Sequence, residues 1–183
     1  MRVLVGVTGA SGAPYALEFL KRCHEEKYVV FSRWGREVFF EETEIKPSDL
    51  DPLVSKIFRD EDLRAPFSSG SNFFDAYVII PCSTSTLGKI AAGFGDTLIT
   101  RCAQVAMKER RRMVLCVRET PMSSLQLENA LELSRNGVII MPASPPFYSK
   151  PKDKDELIGG YVERVCQVLG LPSNYHYREE ELD

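Results

Sequence analysis

The amino-acid sequence predicts a three-layer, doubly wound α/β fold around a parallel sheet of about five or six strands. Short apolar runs without polar alternation have the pattern of strands covered on both faces, and "MVLCV" within "MVLCVRETP" (Met113 to Pro121) is the clearest of them. These runs alternate with segments of helical period, as in a chain of βαβ units. Two of them lead straight into turns rich in glycine and hydroxyl side chains, where strands of such a sheet hand over to helices.

Taken in order, "RVLVGVT" (Arg2 to Thr8) is a strand and "APYALEFLKRCHEE" (Ala13 to Glu26) a helix with Pro14 in its first turn. "YVVFS" (Tyr28 to Ser32) is the second strand, followed by helices over Arg33 to Glu42 and Asp49 to Phe58. "RDEDLRAPFSSGS" (Arg59 to Ser71) is polar and turn-rich, a loop with room for a short strand. Strand "AYVIIP" (Ala76 to Pro81) then precedes helices over Thr84 to Ala92 and Thr97 to Arg111. The Met113 strand, a helix from Ser123 to Arg135, strand "VIIMP" (Val138 to Pro142) and a helix from Asp153 to Leu169 complete the pattern. No repeat or linker divides the chain, so one domain over 1–183 is expected, with a mobile acidic tail from about Pro172.

Composition removes several function classes. The 183 residues are 44% hydrophobic, enough for one core that buries roughly 70% of the unfolded surface. A net charge of -3 gives no reason to expect nucleic-acid binding. Cys23, Cys82, Cys102, Cys116 and Cys166 are scattered without a CxxC pair, which argues for reduced thiols rather than a disulfide framework or a zinc site. The first strand starts at Arg2, leaving no room for a signal peptide, and no apolar run nears the ~20 residues of a membrane span. The expected setting is the cytoplasm.

Three strand ends carry the candidate chemistry. "TGASGAPY" (Thr8 to Tyr15) offers glycines for close backbone approach, the Ser11 hydroxyl, and a helix start whose N–H groups suit a phosphate. It is not G-x-G-x-x-G, and no acidic residue closes the second strand after Phe31, so a mononucleotide is favoured over NAD. A tight turn without a ligand is the alternative for this loop alone. "PCSTST" (Pro81 to Thr86) repeats the geometry; capping of the next helix explains Ser83 but not the other hydroxyls. "VRETP" places Arg118 and Glu119 at the carboxyl end of a buried strand, where open α/β sheets bind ligands, although two solvated charges would read the same way.

With these motifs in hand, "GVTGASGAPYA", "PCSTSTLGKIAAGFGDTLITRCAQVAMKERR", "LCVRETPMSSLQLENALELSRNGVIIMPASPPFY" and the spacing to "VERVCQVLGL" resemble the flavin prenyltransferases of the UbiX type. The resemblance runs from the first strand to Leu171 and is weakest over Ser32 to Ser71 and the tail. It implies a Rossmann-like, flavodoxin-like flavoprotein fold shared with cysteine-type decarboxylases. It also implies a reaction in which dimethylallyl phosphate donates its dimethylallyl group to N5 and C6 of reduced FMN, for use by UbiD-type decarboxylases. No metal is implied, and the chain lacks a DDxxD motif; "RDEDL" reads as a solvated loop.

Position by position, the resemblance places FMN on Gly9, Ala10, Ser11, Ser32, Ser83, Thr84, Ser85, Thr86 and Arg118. Glu119 would handle the proton of the departing phosphate, and Glu42 with Ser11 would relay protons during ring closure. In "FFEETE" the equivalent of that glutamate stays open among Glu41, Glu42 and Glu44. Lys108, Arg118, Tyr148 and Arg164 would hold the substrate phosphate from more than one subunit of a dodecamer built from trimers, Lys108 also counting as catalytic. Without the resemblance, Lys108 reads as a helix-end cation, Tyr148 as a loop aromatic and Arg164 as an exposed helix residue. The other readings are a cysteine-type FMN decarboxylase, disfavoured because His24 and His176 follow no strand end, and a non-catalytic FMN electron carrier, which needs no second phosphate site.

Overall fold

Strands without polar alternation need cover on both faces, and the fold supplies it. The structure, a computed structural model, describes residues 1–174. Its six strands are β1 (Arg2–Val7), β2 (Glu26–Phe31), β3 (Lys56–Arg59), β4 (Ala76–Cys82), β5 (Arg112–Val117) and β6 (Ile139–Ile140). All pair in parallel, in the order β3-β2-β1-β4-β5-β6. The chain winds outward from β1 in one direction, then from β4 in the other. The sheet therefore has its topological switch point between β1 and β4, where ligands of such folds bind.

The helices are α1 (Ala13–Arg22), α2 (Arg33–Thr43), α3 (Thr84–Ala91), α4 (Leu98–Lys108), α5 (Ser124–Arg135) and α6 (Lys154–Leu169). Phe19, Phe39 and Val162 of α1, α2 and α6 pack with Val3, Val5 and Val7 on one face of the sheet. Leu87, Ala103 and Leu133 of α3, α4 and α5 pack with Leu4, Tyr77 and Ile79 on the other. Each fully buried Val, Leu, Ile or Phe among them contributes about 1.5–3 kcal/mol. Helix starts are fixed by hydroxyl or carboxylate caps: Ser32, Ser83, Thr97, Ser123 and Asp153 each accept a backbone N–H from the first turn that follows.

Three expectations need correction. The helix expected over Asp49 to Phe58 is a 3-10 turn, Pro47–Leu53, followed by β3. Pro52 has no N–H to sustain an α-helix there, and Ile57 and Phe58 instead pair with Val29 and Val30 of β2. The loop from Arg59 to Ser71 holds a short 3-10 helix, Pro66–Ser68, and no strand. The first helix stops at Arg22 with Cys23 as its cap, so His24 lies beyond it. Beyond α6, Ser173 Oγ donates to Glu163 O at 2.9 Å, and Asn174 N donates to Glu163 Oε2 at 2.7 Å. Tyr175, His176 and Tyr177 lie outside the described residues.

Candidate functional site

The carboxyl ends of β1 and β4 are joined by one buried side chain. Thr8, 2% exposed, donates from Oγ1 to Pro81 O at 2.8 Å and accepts from Ser83 N at 2.8 Å. The two hydroxyl-rich turns are thus held side by side at the switch point. Nothing in the sequence marks Thr8 for this beyond a lone hydroxyl ending an apolar strand. The start of α2 closes in from the other side. A Cβ on Gly9 would lie 2.5 Å from Trp34 Cβ, and one on Gly35 would lie 2.2 Å from Val7 O. Gly9 is therefore required by the packing of α2 against β1, whatever ligand is present.

These elements line an open cleft of about 270 Å³. Of the residues expected from the sequence, it brings together Gly9, Ser32, Ser83, Ser85 and Thr86. The hydroxyls are partly committed: Ser32 Oγ accepts from Gly35 N at 2.9 Å, and Ser83 Oγ lies 3.0 Å from Thr86 Oγ1. Trp34, Asp60 and Lys89 line the same cleft and were not expected there. Asp60 is 7% exposed; burial pushes its carboxyl up, opposed by the hydrogen bond that Oδ1 accepts from Ile99 N at 2.8 Å. That bond satisfies an amide in the first turn of α4. Lys89 is paired with Asp96 at 2.8 Å.

The start of α1 differs from the simple anion site that the sequence suggests. Gly12 N and Ala13 N both donate to Glu42 Oε2 at 2.8 Å, so the anion at this helix end is the protein's own carboxylate. Among Glu41, Glu42 and Glu44, Glu42 is the one that reaches the β1–α1 turn, while Glu44 caps α2 in the left-handed conformation. Ser11 is exposed and Ala10 buried in the same turn.

Arg118 and Glu119 follow β5 on the same edge of the sheet. Arg118 N donates to Cys82 O at 3.1 Å, which ties this strand end to that of β4. Glu119 is held at both oxygens, Oε1 accepting from Thr120 N at 3.0 Å and Oε2 from Thr84 Oγ1 at 3.4 Å. The half-buried Tyr15 is close enough to feel the Arg118 charge: burial raises its phenol and Arg118 opposes the rise.

The remaining candidates are not gathered here within one chain. Lys108 ends α4, pairs with Glu109 and lines a separate cleft of about 370 Å³ with Arg110, Glu132 and Asn136. It sits at the amino end of β5, whose six residues place it about 20 Å from Arg118. Tyr148 is 51% exposed in the segment between β6 and α6. Arg164 is exposed on α6, where it donates to Gln167. His24 lines a third cleft, beside Arg22 and Glu163. Among the described residues no group of three or more His, Cys, Asp or Glu side chains could hold a metal ion, and no helix is long and apolar enough to cross a membrane. All five cysteines are free and buried, and burial pushes the Cys102, Cys116 and Cys166 thiols up to about 12, so none offers a thiolate at neutral pH.

Comparison with known proteins gives these features a context. The Flavoprotein family matches residues 1–165. The flavin prenyltransferase UbiX of Thermoplasma acidophilum is 46% identical over 172 residues, covering 93% of this chain and 96% of the relative. The crystal structure of AnUbiX (PadA1) in complex with FMN and dimethylallyl pyrophosphate superposes with a TM-score of 0.92 at 39% identity, covering 97% of this chain and 96% of that one. A dodecameric FMN-dependent UbiX-like decarboxylase from Escherichia coli O157:H7 also gives 0.92, at 38% identity, covering 97% and 98%.

Proposed function

The chain belongs to the Flavoprotein family and, within it, to the UbiX-type flavin prenyltransferases, and from that premise we propose how its residues divide the reaction. It is a prenyltransferase with FMN as its flavin. In our reading it moves a dimethylallyl group from dimethylallyl phosphate to N5 and C6 of reduced FMN. The observation that carries this reading is the hydroxyl-lined cleft at the β1–β4 switch point, with Arg118 and Glu119 on the same sheet edge.

The residues present fit FMN. A flavin phosphate needs donors and close backbone approach, and Ser32, Ser83, Ser85, Thr86 and the Gly9 turn offer both. At about 270 Å³ the cleft is smaller than the roughly 300–1,000 Å³ of ligand pockets, so it would hold part of a flavin mononucleotide, with Arg118 on the same sheet edge as a further contact. When bound, reduced FMN supplies the nucleophilic nitrogen and carbon.

The chain's own groups then do three things. Arg118 neutralises phosphate charge where the substrate C–O bond breaks, Glu119 exchanges a proton with the departing phosphate, and Glu42 with Ser11 carries away the proton lost at ring closure. Glu42 suits a proton carrier because the Gly12 and Ala13 amides hold one of its oxygens at the turn that carries Ser11.

Lys108, Tyr148 and Arg164 complete the phosphate site from neighbouring copies in this reading. The separation of Lys108 from Arg118 by the length of β5 supports self-association, and the dodecameric relative supports a dodecamer, which in our reading is built from trimers. The product would pass to a UbiD-type decarboxylase. Five free buried thiols agree with a reducing, cytoplasmic setting. Anaerobic incubation with reduced FMN and dimethylallyl phosphate tests the whole: the released flavin should gain the mass of one dimethylallyl unit, and unmodified FMN under verified reducing conditions overturns the reading.

A further inference from the structure

The four hydroxyls of "STST", Ser83 to Thr86, do not share one task. Ser83 caps α3, Thr86 pairs with Ser83, and Ser85 joins them in lining the cleft, but Thr84 is not among the cleft's lining residues. Its Oγ1 instead donates to Glu119 Oε2 at 3.4 Å. We propose that Thr84 is a positioning residue for Glu119 and not a flavin ligand.

The sheet register carries the argument. Cys82 of β4 is paired with Val117 of β5, and Arg118 N donates to Cys82 O at 3.1 Å beyond that rung. Thr84, the first residue of α3, and Glu119 each stand two residues past the paired rung, and the turns that leave the two strand ends bring them together. The tied strand ends and the start of α3 thus set the approach of a short β-branched side chain, with few rotamers, to a long and exposed one. Thr120 N holds Oε1 at 3.0 Å and Thr84 holds Oε2, so the carboxylate plane is defined from both sides while lone pairs remain for the phosphate. A contact of 3.4 Å is long, as catalytic hydrogen bonds commonly are before substrate tightens them.

The proposal rests on the role given to Glu119 above, and its test separates the two. Thr84→Val keeps the shape and removes the donor; it should lower kcat about tenfold, the fold-change for one lost hydrogen bond, with FMN affinity and the KM for dimethylallyl phosphate unchanged. Thr84→Ser should restore turnover. In a Glu119→Gln background Thr84→Val should cost nothing further. A readout independent of turnover comes from infrared difference spectra of the flavin-free protein. The Glu119 carboxylate band, identified by its loss in Glu119→Gln, should shift in Thr84→Val and return in Thr84→Ser. Weakened FMN binding in Thr84→Val, an equal loss in the Glu119→Gln background, or an unmoved carboxylate band each overturns the positioning role. Full turnover by Glu119→Gln alone overturns the earlier assignment of Glu119 and, with it, any catalytic consequence of Thr84, while the infrared arm still decides whether the contact exists.

Discussion

Replacing Thr8 by valine probes the link between the two halves of the site. The side chain is 2% exposed and makes two hydrogen bonds of 2.8 Å, to Pro81 O and from Ser83 N. Valine preserves the volume and the branching, so packing is nearly unchanged and the loss is polar. Pro81 O keeps Thr8 N at 3.3 Å, and losing its second donor costs about 1 kcal/mol. Ser83 N loses its acceptor, at a cost of about 1–3 kcal/mol for a poorly solvated amide. Together these give about 2–4 kcal/mol, or a fall in Tm on the order of 10 °C for a chain of this size. FMN affinity should fall as well, because the turns at the ends of β1 and β4 lose their common anchor. Thermal unfolding at fixed protein concentration measures the first effect, and deuterium uptake over residues 81–87 shows whether the Ser83 turn has loosened. Thr8→Ser, which keeps the hydroxyl, should recover most of the stability. A Tm for Thr8→Val within about 1 °C of wild type, with unchanged uptake over 81–87, would refute the reasoning.

Three further outcomes are expected. Glu119→Gln should retain FMN affinity in equilibrium titration and lose turnover by roughly 10²–10⁴-fold in single-turnover assays. Arg164→Ala should weaken dimethylallyl phosphate far more than FMN, and subunits mixed with Lys108→Ala should regain partial activity if the two residues meet across a subunit contact; absence of rescue in demonstrably exchanged oligomers counts against the shared site. Glu163 is opposed by burial but held below its ordinary value by Asn174 N, Arg22 and Ser173, so its contribution is present above its unfolded value near 4.5 and is lost as pH falls below that. Protection of the Ser173 and Asn174 amides, corrected for the intrinsic pH dependence of exchange, should therefore be steady down to pH about 4.5 and fall below it, and Glu163→Gln should show the looser state at neutral pH.

The sequence was most informative where burial leaves the chain little choice. β1, β4 and β5 are apolar at nearly every position, so their location and their parallel pairing could be read directly, and the hydroxyl turns at their ends followed. β3 is not legible because "KIFR" is a half-exposed edge strand of four residues, too short for its period to separate strand from helix. Partnerships across long stretches of chain were the least legible. Thr8 meets Ser83 across 75 positions, and Glu42 meets Gly12 across 30, and neither residue has a local pattern that announces its partner. Asp60 is hidden for a similar reason, since a carboxylate in a polar loop reads as solvated until α4 is laid over it. The division of labour within "STST" needed the β4–β5 register, which composition does not contain.

The carboxylate at the start of α1 acts as a tethered competitor. Glu42 is delivered by α2 to the amides of Gly12 and Ala13, and a group confined in this way has an effective concentration on the order of millimolar or above. A stray inorganic anion must outcompete a resident that never diffuses away, so this helix end is insulated against the phosphate and sulfate of its surroundings. Only a ligand with further attachment points nearby can displace the resident, and the displaced carboxylate would then stay within reach of the molecule that moved it.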